Sequence, residues 1–207
     1  IKTTDGGKNW KASYVYANFL SPNVNNISFV DASTGYAACS YRAVFKTTNA
    51  GSSWTQVVPE TTAATVYSYA VHFVDQNLGF VAGQYSSSNG VIHKTTDGGA
   101  SWTTTQNVVN KTLRGIAFGS ATVGAAVVAG RVAVYTTNGG TTWTPATFNG
   151  VPTTKATVGL RNVKFLNATT AIAVGDSIIL KSTDGGANWN YVTSPATKTL
   201  VGLDFRG

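Results

Sequence analysis

The 207-residue sequence predicts an all-β fold, a β-propeller built from four-stranded antiparallel blades. Three observations lead to this prediction: an eight-residue motif that occurs five times, a recurring segment that ends in Phe, and no stretch with a sustained helical period. The Asp or Asn of successive motif copies are 44, 48, 41 and 46 residues apart. This period accommodates four short strands with their turns.

Each copy of the motif begins with Thr or Ser, has Asp or Asn at its third position and ends in Trp. The Asp or Asn side chain can accept hydrogen bonds from backbone N–H groups slightly further along, and glycines supply the positive φ angles of a hairpin turn. We expect Trp to fold back under the turn as an apolar anchor. Ten residues are therefore predicted to be structural: Asp5, Trp10, Asn49, Trp54, Asp97, Trp102, Asn138, Trp143, Asp184 and Trp189.

Two further strands recur between the motifs. A strand ending in Phe comes first, and a strand of small residues follows it, as in Gly79-Phe80-Val81-Ala82. With the strands on either side of the motif, each unit has four strands, A to D in chain order, and the motif forms the C–D turn. Strand A is expected to line the central channel. The Phe residues that end strand A are Phe29, Phe73, Phe118, Phe165 and Phe205.

The phase of the repeat predicts a single propeller domain over residues 1–207. Residues 1–18 supply strands C and D of a partial blade, and residues 198–207 supply a lone strand A. Complete units are expected at about 19–62, 63–108, 109–153 and 154–197. About five blades are therefore present. Two arrangements remain open: a five-bladed ring whose closing blade lacks strand B, and a slice of a larger propeller.

Composition limits the classes of partner. The formal charge is +7, but the basic residues are dispersed and form no stripe or nucleic-acid motif. No apolar run is long enough to predict membrane insertion. His72 and His93 stand alone, without metal-ligand spacing, and no cofactor motif is present. Cys39, the single cysteine, lies in an apolar run and is predicted to be a buried core residue.

The motif resembles the Asp-box, or bacterial neuraminidase (BNR), repeat Ser/Thr-x-Asp-x-Gly-x-x-Trp. Asp5, Asp97 and Asp184 match it fully, and Asn49 and Asn138 keep an acceptor oxygen. The form K-T/S-T-D-G-G-x-x-W is most similar to the photosystem II stability/assembly factor family and its secreted bacterial relatives. The resemblance implies that the boxes lie on the blade periphery. It also implies that arginines along strand A contact a partner polypeptide.

Four arginines are the candidate ligand-binding residues. Arg114 and Arg161 each stand four residues before the Phe of strand A, where other units carry Asn25, Tyr69 and Val201. Arg42 and Arg131 fall at B–C turns, on a rim. An arginine at such a position can present its guanidinium group to a carboxylate or sulfate.

The sequence therefore predicts a non-catalytic binding or scaffold module that recognises a polypeptide or a glycan through the channel or rim. A charged fraction of only 11%, with abundant Thr, Ser, Asn and Gly, favours an exported or cell-surface protein. The alternative is a sialidase-like glycoside hydrolase. Most such enzymes need two positioned carboxyl groups. The chain has one Glu, Glu60, and its Asp residues suggest no acid and nucleophile pair.

Overall fold

The computed structural model describes residues 1–13, 23–41, 43–58, 67–85, 89–105, 108–155 and 157–205. Strands make up almost all of the regular structure there, beside a single 3-10 turn at Thr153–Lys155. Within these ranges, no helix is long and apolar enough to cross a membrane. The strands form four sheets. The all-β propeller class predicted from the sequence is therefore confirmed.

We call the four sheets blades I to IV. Blade I contains β1 (Val24–Phe29), β2 (Gly35–Cys39), β3 (Val44–Thr47) and β4 (Thr55–Val58). Blade II contains β5 (Tyr67–Phe73), β6 (Gly79–Tyr85), β7 (Asn89–Thr95) and β8 (Thr103–Thr105). Blade III contains β9 (Leu113–Phe118), β10 (Gly124–Val128), β11 (Ala133–Thr136) and β12 (Thr144–Pro145). Blade IV contains β14 (Leu160–Phe165), β15 (Ala171–Gly175), β16 (Ile179–Ser182) and β17 (Asn188–Val192), with β13 (Thr147–Asn149) added at its edge.

The five-stranded sheet of blade IV departs from the predicted pattern. After β12 the chain leaves blade III, and β13 pairs in parallel with β17, with Phe148 opposite Trp189. This crossing covers the outer edge of blade IV, and the Trp189 side chain is fully buried. Trp10, in the first box, is 55% exposed. The five Trp residues occupy the same position of the motif, but the burial of each depends on whether a neighbouring segment covers it.

The two ends of the chain carry less regular structure than the four sheets. Near the N-terminus, Lys2 and Lys11 form an isolated antiparallel bridge, and the Lys2 ammonium donates to Ser52 Oγ of blade I at 3.0 Å. Near the C-terminus, Leu200 N donates to Gly175 O at 2.8 Å. The described part of the segment predicted to be a lone strand A forms no regular strand. No strand B pairs with it in the described chain, so it lacks the ladder that defines the other four strands A.

Each box forms the predicted hairpin turn, and the third copy shows its hydrogen bonds clearly. Thr95 Oγ1 donates to Asp97 Oδ1 at 2.7 Å and accepts from Gly99 N at 2.8 Å. Asp97 Oδ1 also accepts from Ser101 N at 2.8 Å. The indole N–H of Trp102 donates to Gly99 O at 3.1 Å. Gly99 has a φ of 88°, which a residue with a Cβ rarely adopts. These hydrogen bonds hold the turn of the third box together.

Replacing Asp97 with asparagine should change stability at pH 7 very little but reduce its loss in acid. Hydrogen bonds from the Ser101 side chain and backbone, and from Thr95, lower the pKa of Asp97 from 3.8 to about 2. The unfolded chain therefore binds more protons between about pH 4 and 2, and the stabilisation that Asp97 provides above pH 4 is lost as the pH falls through 2. Asn cannot titrate. Asn49 already accepts from Ser53 N at 2.9 Å and donates to Ser53 Oγ at 2.8 Å in the second box.

Urea unfolding of wild type and Asp97→Asn at pH 7, 4, 3 and 2 would test this expectation. Asp97→Ala is the control, because it removes the acceptor and should destabilise the fold at every pH. An Asp97→Asn variant that loses as much stability between pH 4 and 2 as wild type would contradict the assignment.

Packing between neighbouring blades holds strand A toward the centre of the propeller. The Phe73 ring stacks on Tyr36 of blade I with 3.5 Å between ring centroids, and Phe118 stacks on Phe80 of blade II at 3.9 Å. A Cβ at Gly79 would meet the Phe73 ring at 2.3 Å, so glycine makes room for the ring within its own blade. Phe73 and Phe118 are thus each held between strand B of their own blade and strand B of the preceding blade.

Candidate functional site

A central cavity of about 960 Å³ lies where the strands A converge. It is lined by residues 25–29, 69–73, 114–118, 161–165 and 201–205. The first four ranges belong to β1, β5, β9 and β14, and the last follows the Asp176–Thr199 bridge. The sequence-based expectation that strand A lines the channel therefore agrees with the structure.

A β-bulge occurs at the same position of strand A in all four blades. The register between strands A and B shifts between Val24 and Asn26 in blade I, and at the equivalent points of the other blades. The bulge residues themselves are Asn25, Tyr69, Arg114 and Arg161. A bulge leaves one residue without a ladder partner and redirects its side chain, and bulges are enriched beside functional sites. All four bulge residues line the central cavity.

Arg114 is the bulge residue with an uncompensated charge. Its guanidinium carbon lies 4.2 Å from the centroid of the Tyr69 ring, a cation–π contact with the bulge residue of the preceding blade. Its buried Nε has no hydrogen-bond partner, and Arg114 forms no ion pair with any described residue. The Tyr67 ring lies 5.8 Å from Tyr69, and Tyr41 lies 6.0 Å from Tyr67. We call Tyr41, Tyr67 and Tyr69 the tyrosine row.

Arg161 occupies the same bulge position but is neutralised. Its Nε donates to Asp176 Oδ1 at 3.2 Å. Partial burial raises the pKa of Asp176, but the hydrogen bonds from Arg161, Gly159 N and Thr199 outweigh that effect, so the pKa of Asp176 is lowered overall. The sequence pairs Arg114 and Arg161 as equivalent cations. The structure separates them, because a carboxylate from the B–C turn of blade IV reaches only Arg161.

The remaining charged groups in the cavity lie between β14 and the C-terminal segment. Lys164 forms an ion pair with Asp204, which is the one carboxylate among the described residues that line the cavity. Burial and the nearby Lys164 charge lower the pKa of His72 to about 4, so this imidazole is neutral at pH 7. The described part of the cavity therefore contains no second carboxylate opposite Asp204 that would form an acid and nucleophile pair.

The other predicted site residues lie elsewhere. Arg131 stands in the turn between β10 and β11 and lines a smaller cleft on the rim. Arg42 lies outside the described residues. Cys39 is fully buried, and burial raises the pKa of its thiol to about 12, consistent with the predicted core role. The described part of the chain has no group of three or more His, Cys, Asp or Glu side chains that could hold a metal ion together.

Sequence reasoning located the arginines but missed the groups around them. The bulge depends on strand pairing and has no simple residue signature. Asp176 is fifteen positions after Arg161 and appears in the sequence only as a turn residue. Tyr69 was visible as the equivalent of Arg114, and the alternation of Tyr67 and Tyr69 on one strand was the available signal for an aromatic surface.

Comparison with known proteins gives a consistent answer. The family model described as photosynthesis system II assembly factor YCF48 matches residues 101–198. The structure of YCF48 from Cyanidioschyzon merolae aligns with a TM-score of 0.62 at 20% identity, covering 97% of this chain and 64% of that one. The structure of YCF48 bound to D1 peptide aligns with a TM-score of 0.53 at 18% identity, covering 90% of this chain and 73% of that one. The chain is a BNR-type β-propeller related to the photosystem II assembly factor.

Enzymes share this architecture. An ancestral GH74 enzyme aligns with a TM-score of 0.62 at 24% identity, and the match covers 84% of this chain but 24% of the enzyme. This BNR propeller thus spans about a quarter of that enzyme and slightly under two thirds of the YCF48 from Cyanidioschyzon merolae. At these identities the alignments establish the shared fold. None of the curated protein sequences matches the chain.

Proposed function

We propose that this propeller is a non-catalytic module that binds a polypeptide through its central cavity. The observation that carries the proposal is the repeated bulge, which presents Asn25, Tyr69, Arg114 and Arg161 to one cavity. The structure of YCF48 bound to D1 peptide supports this choice, because a propeller of the same fold has a peptide ligand.

The chemistry of the cavity favours a peptide with an acidic group. Arg114 has its charge uncompensated within the described residues and is held in place by the Tyr69 ring. A guanidinium binds a carboxylate through two parallel hydrogen bonds. Asn25 donates to Ser68 O at 2.8 Å, which braces the bulges of blades I and II against each other. The peptide carboxylate would bind Arg114, while the paired Arg161 contributes through its remaining N–H groups.

Carbohydrate binding is the second candidate, favoured by the tyrosine row. Aromatic faces near a polar cavity can stack on sugar rings, and GH74 enzymes share the fold. Glycoside hydrolysis has weaker support, because Asp204 is held by Lys164 and no second carboxylate faces it among the described residues. We also propose that the protein works outside the cytoplasm, on the basis of its low charged fraction of 11%. Recovery of the protein only in the cytoplasmic fraction of its source cells would contradict that location.

Selection from a random dodecapeptide library on the immobilised protein tests the binding proposal. We expect enriched peptides to contain Asp or Glu, and we expect Arg114→Gln to weaken the best of them at least tenfold. Lys181→Gln is the matched control, because Lys181 is exposed and lines neither cavity. Peptides that bind Arg114→Gln as well as wild type would overturn the proposal. So would binding on a glycan array, or release of reducing sugar, with no peptide enriched.

A further inference from the structure

A second cavity, of about 420 Å³, lies on the rim between blades III and IV and shares Arg161 with the central cavity. The chain segments before β9 and β14, the β10–β11 turn and the residue after β15 meet there. We call it the rim cleft. The residues that carry its chemistry are Lys111, Gly130, Arg131, Gly159, Arg161 and Asp176.

The charges of the rim cleft do not balance. Asp176 is fully engaged: it accepts from Arg161 Nε at 3.2 Å, from Gly159 N at 3.1 Å and from Thr199 Oγ1 at 3.1 Å. It therefore neutralises Arg161. Lys111 and Arg131 take part in neither of the ion pairs found in the described chain, which are Arg161–Asp176 and Lys164–Asp204. Two positive charges from different turns thus face one cleft without a carboxylate of their own.

Two glycines allow the charged side chains of the rim cleft to pack closely against the backbone. Gly130 has a φ of 132°, and a Cβ on it would lie 3.1 Å from the Lys111 ammonium. A Cβ on Gly159 would lie 2.9 Å from Asp176 Oδ2 and 3.5 Å from Gly130 N. Bulkier residues would therefore push the Lys111 ammonium away from the turn and displace the carboxylate that neutralises Arg161.

We propose that the rim cleft binds a doubly charged oxyanion, a phosphate or sulfate group, between Lys111 and Arg131. A dianion matches the two uncompensated charges, whereas chloride or a single carboxylate would leave one of them unbalanced. The planar guanidinium of Arg131 can bind two oxygens at once, and the Lys111 ammonium acts as a compact point charge on a third. The volume of the cleft also exceeds that of one such ion, so a group esterified to a small molecule fits.

Thermal unfolding with increasing sodium phosphate or sodium sulfate, against sodium chloride at equal ionic strength, tests this proposal. Wild type should show a saturable rise in melting temperature with phosphate or sulfate and none with chloride. Lys111→Gln and Arg131→Gln should each require at least tenfold more phosphate for the same rise. Lys8→Gln is the control, since Lys8 is exposed in the first box turn and lines neither cavity. Equal stabilisation by chloride, or equal saturation in the two variants, would overturn the proposal.

Repeating the titration with O-phosphoserine identifies the source of the group. Tighter binding than inorganic phosphate would indicate an esterified phosphate, and weaker binding would indicate the free ion. Arg161 is left unchanged in these experiments because it lines both cavities. If Arg131→Gln lost phosphate binding but kept peptide binding, the two ligands would bind at separate sites. Failure of peptide selection would leave the phosphate titration unaffected.

Discussion

Replacing Phe73 with alanine should reduce the free energy of unfolding by about 3–5 kcal/mol, whereas the same change at Phe29 should cost about 1 kcal/mol. Both residues end a strand A and occupy the same position of the repeat. Phe73 is 6% exposed because it is stacked on Tyr36 of the preceding blade. Phe29 is 47% exposed, and its ring contact is with Trp54 of its own blade, edge to face at 6.2 Å.

The physical reason is that Phe73 joins two blades, whereas the ring contact of Phe29 lies within one blade. Removing the Phe73 ring leaves a cavity bounded by Tyr36, Gly79 and Trp102, and it exposes the junction between blades I and II. Removing the Phe29 ring deletes surface that is already half in contact with water. Guanidinium unfolding of the two variants, followed by Trp fluorescence and far-UV circular dichroism, measures the difference. Phe118→Ala is an independent repeat of the experiment at the next junction, where Phe118 stacks on Phe80.

Similar losses for Phe29→Ala and Phe73→Ala would contradict this account, because they would show that the contact within a blade outweighs the contact between blades. A loss at Phe73 with none at Phe118 would limit the inter-blade effect to one junction. Because Phe29 and Phe73 occupy the same position of the repeat, differences in strand propensity do not affect the comparison of the two variants.

This contrast also shows how far the sequence predicts the fold. The recurring Phe, the small residues of strand B and the box turns are local patterns, so the four strands of each complete unit and their order could be predicted from them, whereas the added strand β13 of blade IV could not. The burial of each Phe could not, because it depends on a side chain about 37 residues earlier, Tyr36 for Phe73. The same holds for Trp189, whose cover comes from β13 of the preceding repeat.

The candidate site divides in the same way. Residue type and repeat position were enough to select Arg114 and Arg161 as channel residues. Their different electrostatic states depend on Asp176, which reaches Arg161 from another turn, and on Tyr69, which lies under Arg114 from another blade. Lys111 was not predicted, because it lies outside the repeated strands. Contacts from other turns and other blades, which join residues distant in the sequence, are therefore what the repeat pattern cannot predict.

Replacing Gly83 with alanine should destabilise the protein by about 3 kcal/mol or more and disturb the cavity as well. A Cβ at this position would lie 1.8 Å from Tyr67 O, with Tyr67 C at 2.9 Å and Ser68 Cα at 3.1 Å. These are backbone atoms of the strand that carries the Tyr69 bulge, so no side-chain rotation relieves the clash. Strand A of blade II must move away from strand B.

The register of the repeat alone does not require glycine there. Cys39 and Val128 occupy the equivalent position of blades I and III, opposite Val24 and Leu113. Blade IV has Gly175, where a Cβ would meet Gly159 O at 1.9 Å. Glycine is thus needed where strand A approaches most closely just before its bulge. Gly202→Ala is the matched control, since a Cβ at Gly202 would have no atom of the described chain within 4 Å beyond its own chain neighbours.

Denaturant unfolding measures the stability loss, and the chemical shift of the Arg114 side-chain N–H reports the cavity. Because the Arg114 guanidinium lies over the Tyr69 ring, ring-current shielding should decrease when the bulge moves. Gly83→Ala should therefore change both readings, and Gly202→Ala should change neither. If Gly83→Ala lost stability while the Arg114 resonance stayed in place, the bulge would be held by contacts between blades and not by the A–B pairing. That outcome would show that contacts with neighbouring blades, and not strand pairing within a blade, fix the positions of the candidate site residues.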